Sequence, residues 1–467
     1  MSSSVTPRRL SIPLLFLCLL SALPLAAAGA QGEGPIYIVE EGDSLWAIAW
    51  RFGTTVKELA DANGITSDAG IQPGMSLVIP GFVEVGGILS TVDVRYGDTL
   101  SELSRERGLP EQTLIALNHI VSPGQLYVAL PLITVAPSGQ DPSAPAPVAL
   151  ASQEGQGLLQ EAASKGINPW HLVETHRSGW RLWTTPGEVL WYSGPSEQDL
   201  MADPRPQIEL KGIPGVQGRT TEVEVVYPEP IRAEGRLGQW TLHFNSADGT
   251  MVAMQGIHAL ADAGMLNLEI ELYRSESETP FRQYSQPLYV EEGDYSREAL
   301  SVPYETIDPA NTIPEDQLVA ELVAQVTPEK MWQGPFQFPS DYYEKFPSVF
   351  GTRRSYNGSA YTYYHTGLDL YGSTSTPVLA PAAGRVVFAG PLTVRGNTTY
   401  IDHGWGVFSG FLHQSQLLVS VGEVVEAGQT IGMVGGTGRV TGPHLHWEIW
   451  AGGVPVDPIQ WTTTAFP

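Results

Sequence analysis

Two stretches near the front of this chain repeat one another, and the repeat fixes how small the first folding units must be. YIVEEGDSLWAIAWRFGTTVKELADANGI at 37–65 is echoed by VDVRYGDTLSELSRERGLPEQTLIALNHI at 92–120. Gly42, Asp43 and Leu45 match Gly97, Asp98 and Leu100, and Asn63 matches Asn118, all 55 residues apart. Pro73-Gly74 and Pro123-Gly124 are only 50 apart, so the second copy has the shorter loop. Each copy reads as strand, helix, helix, strand. Asp43 or Ser44 can cap a helix whose apolar positions Leu45, Ile48 and Ala49 fall at helical spacing. LVIP and LYVALP supply the closing strands.

These segments resemble LysM modules, over residues 36–81 and 88–132. The resemblance implies small α+β domains that grip N-acetylglucosamine-containing glycans such as peptidoglycan. It places Gly42, Asp43 and Ser44 of the first copy, and Gly97, Asp98 and Thr99 of the second, beside the sugar groove. The loop after the second helix completes that groove. The same turn also caps a helix, and the two uses are compatible. A weaker third copy spans 153–194, where Gly155-Gln156-Gly157-Leu158 stands in place of Gly97-Asp98-Thr99-Leu100. It has lost the aspartate of the turn, and His176 replaces the asparagine. Its Trp170, Trp180 and Trp183 are expected to pack inward rather than stack on sugar. Residues 133–152 read as a Pro/Ala/Ser linker, extended and semi-rigid.

At 467 residues the chain exceeds one core, and 50 glycines with 37 prolines favour short strands and turns over long helices. Residues 1–30 read as a secretory signal: Arg8 and Arg9, an apolar run, then Ala28-Gly29-Ala30 for cleavage. An uncleaved membrane anchor is the alternative, since the run approaches the ~20 residues of a span. The one cysteine, Cys18, lies inside this signal, with Leu17 where a lipid-anchored signal wants a small residue. The exported chain therefore has no disulfide and no thiolate metal ligand. Removing the signal leaves 23 basic against 50 acidic residues, a balance that argues against nucleic acid and anionic membrane surfaces as partners.

From 205 to 300 the hydrophobic period is two. TTEVEVVYP, QWTLHFNS, MLNLEIELYR and QYSQPLYVEEG predict a β-sandwich, immunoglobulin-like in architecture, with His243 and His258 as structural residues. A connector at 301–340 holds one helix, predicted at 314–326 and started by Pro314, with Glu315 and Asp316 at its positive end.

Five of the ten histidines fall between 365 and 446, within 341–467, which reads as β from 376 onward. His365 and Asp369 stand in HTGLD, His413 in GFLHQS, and His444 and His446 in GPHLHWEIW. On a strand, alternation puts His444, His446, Glu448 and Trp450 on one face and Leu445, Trp447 and Ile449 on the other. Two imidazoles so placed enter the same space. Imidazole and carboxylate are the ligands zinc takes when thiolates are absent.

Together these motifs, in this order, resemble the M23 family of lysostaphin-like zinc metallopeptidases, from about Phe350 to Trp461. The resemblance implies a mainly antiparallel β domain holding one Zn²⁺ on His365, Asp369 and His446, with an open fourth position for water. It implies that His413 and His444 form the catalytic pair without binding the metal. His403 falls outside the motifs and is expected in a turn or in support of the site rather than in direct catalysis. Glu448 either orients His446 or faces solvent. Arg353, Arg354, Tyr356 and Asn357 precede the first ligand and are candidates for the groove wall.

The chain thus reads as multidomain: LysM-like modules, a β-sandwich and a C-terminal M23-like domain. The implied activity is cleavage of peptidoglycan peptide cross-links by a secreted, wall-associated enzyme anchored on glycan. Readings from other classes are a non-catalytic wall protein that activates other hydrolases, and a peptidase acting on glycine-rich proteins.

Overall fold

One asparagine in each front module bonds to its closing strand as a neighbouring strand would. In the computed structural model, Asn63 Nδ2 donates to Val78 O and Asn63 Oδ1 accepts from Val78 N, at 2.8 and 2.7 Å. Asn118 makes the same pair with Ile133, at 2.8 and 2.6 Å. Both amides also reach back one helical turn, to Leu59 O and Leu114 O. The structure describes residues 34–66, 70–82, 85–135, 148–151, 160, 189–192, 206–274 and 277–467. The segment read as a signal, with Cys18, most of the segment read as a linker and nearly all of the one read as a third repeat, including His176 and its three tryptophans, lie outside the described residues.

In the first module, strands Ile36–Ile38 and Ser76–Val78 pair antiparallel around helices Leu45–Arg51 and Val56–Ala62. Ser44, not Asp43, caps the first helix, its side chain accepting from Ala47 N. The Asp43 carboxylate is taken by Tyr37 Oη and Glu40 N, both at 2.8 Å. Thr55 and Glu58 form a reciprocal capping box on the second helix. Ile48, Leu59 and Leu77 make the small core. In the second module, strands Leu89–Asp93 and Pro131–Val135 enclose helices Leu100–Arg107 and Glu111–Asn118, with a second capping box on Thr99 and Glu102; the closing strand starts at the last residue of LYVALP rather than lying in it, and takes in the first residues read as linker.

The second module docks on a sandwich of two sheets. Five strands, led by Ile231–Leu237, Gly264–Arg274 and Arg282–Glu291, face four, led by Thr220–Val226 and Thr250–Gly256. Val223, Val225, Leu268, Ile270, Leu272 and Leu288 fill the space between them. Each such side chain contributes about 1.5–3 kcal/mol on burial. Tyr96 of the second module is buried against this sandwich, its hydroxyl donating to Leu268 O at 2.8 Å. Gln286 lies between two segments of the module: its Oε1 accepts from Gly97 N at 2.6 Å, and its Nε2 donates to Leu126 O at 3.1 Å.

The connector helix runs Pro309–Val323, starting five residues before the predicted Pro314. Asp308 caps it by accepting from Ala310 N, and Pro309 occupies the first turn, where a missing N–H costs nothing. Pro314 lies inside the helix, and the Asp308 cap with Pro309, which the sequence reading did not single out, sets its start. A strand at Arg297–Leu300 pairs parallel with Arg353–Tyr356, which pairs antiparallel with Tyr363–Tyr364.

The C-terminal domain is an antiparallel sheet in the order Leu368–Tyr371, His444–Ala451, Val407–Gln414, Gly396–Gly404, Gly384–Leu392 and Val424–Val425, with Val454–Val456 beside His444–Ala451. A three-stranded sheet, Pro377–Leu379, Thr430–Met433 and Gln416–Leu417, packs on it. Leu445, Trp447 and Ile449 point into the core between them, as alternation requires. The chain ends on helix Pro458–Thr463, which an all-β reading of this segment did not include; Asp457 caps it. The multidomain, mostly β architecture expected from the sequence is the one found. No helix among the described residues is long and apolar enough to cross a membrane.

Candidate metal centre

Strand register assembles the site. Asp369 is paired with His446 across one edge of the strand His444–Ala451, and Leu412 is paired with His446 across the other. His365 enters from the turn before Asp369, its own N–H donating to Thr352 O at 2.9 Å. Gly367 between them is obligatory for close approach: a Cβ there would lie 2.2 Å from Trp447 O and 2.8 Å from His446 Nε2. His413 reaches the site through a bulge. Asn397 faces Gln414 and Thr399 faces Phe411, so the strand carrying His413 has one residue more than its partner. The extra residue is absorbed with His413 at φ 64°, left-handed backbone that a histidine adopts only when held there.

Three ligand atoms converge. His365 Nε2, Asp369 Oδ1 and His446 Nδ1 lie 2.8–2.9 Å from one another, and all three side chains are buried. The outward nitrogens are occupied: His365 Nδ1 faces Val349 O at 3.0 Å, and His446 Nε2 faces Glu448 Oε1 at 3.3 Å. A proton on each outward nitrogen leaves two imidazole lone pairs and a carboxylate oxygen directed at one point. A single proton on His446 Nδ1 relieves only part of that repulsion, whereas a cation satisfies all three atoms at once. The donor set therefore fits a metal ion.

The electrostatics of the protein groups agree with this. Burial pushes His365 down to about 4, against the pull of Asp369. Burial also opposes charge on Asp369, yet His365 and His446 hold its carboxyl well below the ordinary range. His446 is drawn the other way: burial disfavours its charge, but Asp369 and Glu448 outweigh that and raise its pKa. Glu448 is buried, not solvent-facing. Besides His446 it accepts from Thr366 Oγ1 at 2.6 Å, Tyr400 Oη at 2.8 Å and Trp450 Nε1 at 3.0 Å. The hydrogen bond and charge of His446, with the Arg395 charge and the Thr366 hydroxyl, overcome burial and hold the Glu448 carboxyl well below the ordinary range.

His413 and His444 stand beside the ligands with ring centroids 5.1 Å apart. Each is fixed at Nδ1 by a backbone carbonyl: Thr437 O for His413 and Gly442 O for His444, both at 2.9 Å. Each Nε2 is left facing the groove, and that of His444 lies 3.6 Å from Asp369 Oδ1. Burial, with His446 and His444 adding to it, pushes His413 down to about 3. His403 is buried elsewhere, between Ala383 O and Ser409 Oγ, and does not line the groove.

The groove encloses about 620 Å³ and contains all five motif residues. Arg354 and Tyr356 line it as expected, whereas Arg353 and Asn357 do not. Arg353 turns away to Ala259 O, and Asn357 is tied to Val302. A whole wall comes from segment 298–316, which the sequence reading divided between the end of the β-sandwich and the connector. At the front of the chain, Gly42 and Gly97 both adopt positive φ at their turns, 91° and 87°. The amide of Gly97 is engaged by Gln286.

Comparison with known proteins agrees with these motifs. Residues 363–458 match the model of peptidase family M23, and residues 37–80 and 92–131 match the LysM domain. Peptidoglycan DD-endopeptidase ShyC of Vibrio cholerae is 38% identical over 120 residues, 26% of this chain and 28% of the relative. DD-carboxypeptidase/endopeptidase Mpg of Neisseria meningitidis is 38% identical over 129 residues, 27% of this chain and 29% of the relative. The matches thus span less than a third of those relatives' lengths. Among solved structures, lysostaphin from Staphylococcus simulans is 33% identical with a TM-score of 0.20, covering 21% of this chain and 44% of that one. The chain therefore carries a peptidase family M23 domain at its C-terminal end and two LysM domains at its front.

Proposed function

We propose that this protein is an exported zinc metalloendopeptidase that hydrolyses peptide cross-links of peptidoglycan, held on the glycan by its LysM modules. One observation carries the reading. His413 and His444 present Nε2 to the groove that holds the three-atom ligand set, while neither belongs to the set. A single zinc ion on His365, Asp369 and His446 would supply Lewis acidity to a water and to the scissile carbonyl.

The protein's own groups do the rest. With Nδ1 of both rings tied to carbonyls, only Nε2 can exchange protons in the groove. One ring takes the proton of the attacking water, and either, once protonated, steadies the oxyanion or delivers the proton to the departing amine. Arg354 and Arg439 also line the groove and suit the carboxylates of peptidoglycan stems. The relatives named as DD-endopeptidases support a D,D-cross-link as the bond cut. Glycan binding by the front modules raises the local concentration of stems.

The test is digestion of purified peptidoglycan by the zinc-loaded full chain, with new amino termini identified by mass spectrometry. Release of cross-linked stems, abolished by His444→Ala, is the expected result. No cleavage, or equal cleavage by the variant, overturns the reading. Cleavage of a glycine-rich protein with intact sacculi left untouched would shift the substrate class.

A further inference from the structure

A buried carboxylate on the connector helix, outside the matched peptidase segment, holds the turn on which His413 hangs. Strands Gly384–Leu392 and Gly396–Gly404 are joined through Thr393–Arg395. Two successive N–H groups in that turn converge on Glu315. Its Oε2 accepts from Val394 N at 2.8 Å, and its Oε1 accepts from Arg395 N at 2.9 Å. The Arg395 guanidinium folds back on Oε1 at 3.0 Å, so the charge of Glu315 is matched where it lies, 5% exposed.

The carbonyls of the same turn serve the site. Arg395 O accepts from His413 N at 2.9 Å, and Val394 O accepts from Arg439 N at 2.8 Å. Gly396 packs so closely on Thr437 that a Cβ would meet its carbonyl oxygen at 2.4 Å. That carbonyl is the one that fixes the His413 ring. Both attachments of His413, backbone and imidazole, therefore lead to one turn, and the turn is fastened to Glu315. The left-handed backbone of His413 needs such a fastening, because nothing in a histidine favours it.

We propose that Glu315 is a positioning residue for His413, and hence that the connector helix is part of the catalytic unit. Its effect on turnover rests on the hydrolase reading above; its effect on the geometry of His413 does not. Glu315→Gln keeps the volume but replaces one acceptor oxygen with an NH₂ that must face a donor.

In the full chain, this variant should speed amide hydrogen exchange at His413 and Arg395 by about tenfold or more. It should lower kcat by about 10–100-fold with KM changed less than about threefold. Zinc affinity, read with a competing chromogenic chelator, should stay within about threefold of wild type, because no metal ligand sits on this turn. Unchanged exchange at His413 overturns the proposal. So does a loss of kcat that merely follows a loss of zinc or of folded protein. Should wild type release no stems, the hydrolase reading fails, and the exchange comparison alone decides the role of Glu315. If Glu315→Gln does not fold, Glu315→Asp, which draws both oxygens back by one methylene, is measured in the same way. A wild-type exchange rate at His413 in that variant also overturns the proposal.

Discussion

His365 Nε2 and His446 Nδ1 face each other at 2.8 Å while their opposite nitrogens are engaged by Val349 O and Glu448. The outer partners set the tautomers, and the tautomers set what the inner pair can bind. Glu448 thus belongs to the candidate metal centre through His446, without offering a ligand atom of its own.

Replacing Glu448 by Gln keeps the side-chain volume but turns an NH₂ toward one pair of its donors, either Thr366 with His446 or Tyr400 with Trp450. It removes the charge that holds the His446 proton outward. Zinc affinity should fall about 10–100-fold. Competition against a chromogenic chelator measures it, and an unchanged Kd would contradict the role given to Glu448.

His413→Ala and His444→Ala should each lower the rate of stem release by about 10²–10⁴-fold, the usual weight of a general acid or base. Both should bind zinc like wild type, because the ligand atoms belong to other residues. Loss of bound zinc in either variant, measured by elemental analysis after dialysis, would make that histidine a ligand instead.

His403 supplies a pH dependence unrelated to the candidate metal centre. Burial holds it down to about 4 in the folded chain, against an ordinary 6.5. Above pH 6.5 both folded and unfolded forms are unprotonated and this residue adds no slope. Between 6.5 and 4 the unfolded chain takes up a proton that the fold excludes. Stability then drops by up to about 1.4 kcal/mol per pH unit, levelling off below 4. Urea midpoints of the C-terminal domain from pH 7.5 to 4.5 should fall less steeply in His403→Gln. Parallel slopes would remove His403 as the cause.

The two LysM modules should answer glycan differently. Gly97 N and Leu126 O of the second are taken by the Gln286 carboxamide, which has the donor and acceptor of an N-acetyl group. Titrating a soluble N-acetylglucosamine oligomer should shift the amides of Gly42, Asp43 and Ser44 and leave Gly97 unmoved. Equal shifts at both turns would show that the second module releases the sandwich when sugar binds.

The clustering of these side chains was legible because they are marked by short local spacings: HTGLD carries His365 and Asp369, and a two-residue strand repeat puts His446 on the same face as His444. Glu448 was legible as to face but not as to burial. Its surroundings come from Thr366 and Tyr400, 82 and 48 residues away in the chain. Glu315 was read as a carboxylate favouring a helix start, a local role that concealed its long-range bonds to Val394 and Arg395. The docking of Tyr96 on the sandwich was invisible for a simpler reason. In the repeat pattern it occupies an ordinary position before a turn, and only its partner Leu268 makes it a core residue.

The asparagine shared by the two front modules shows what such a repeat can afford to change. A carboxamide offers its donor and acceptor at one planar end, so it can bond both backbone groups of a single residue, as Asn63 does with Val78. An imidazole carries its two nitrogens on different edges of the ring and cannot span one residue in that way. Helices and loops in this repeat can diverge freely while the amide remains. Exchanging Asn63 or Asn118 for histidine would therefore unfasten the second helix of its module from the closing strand.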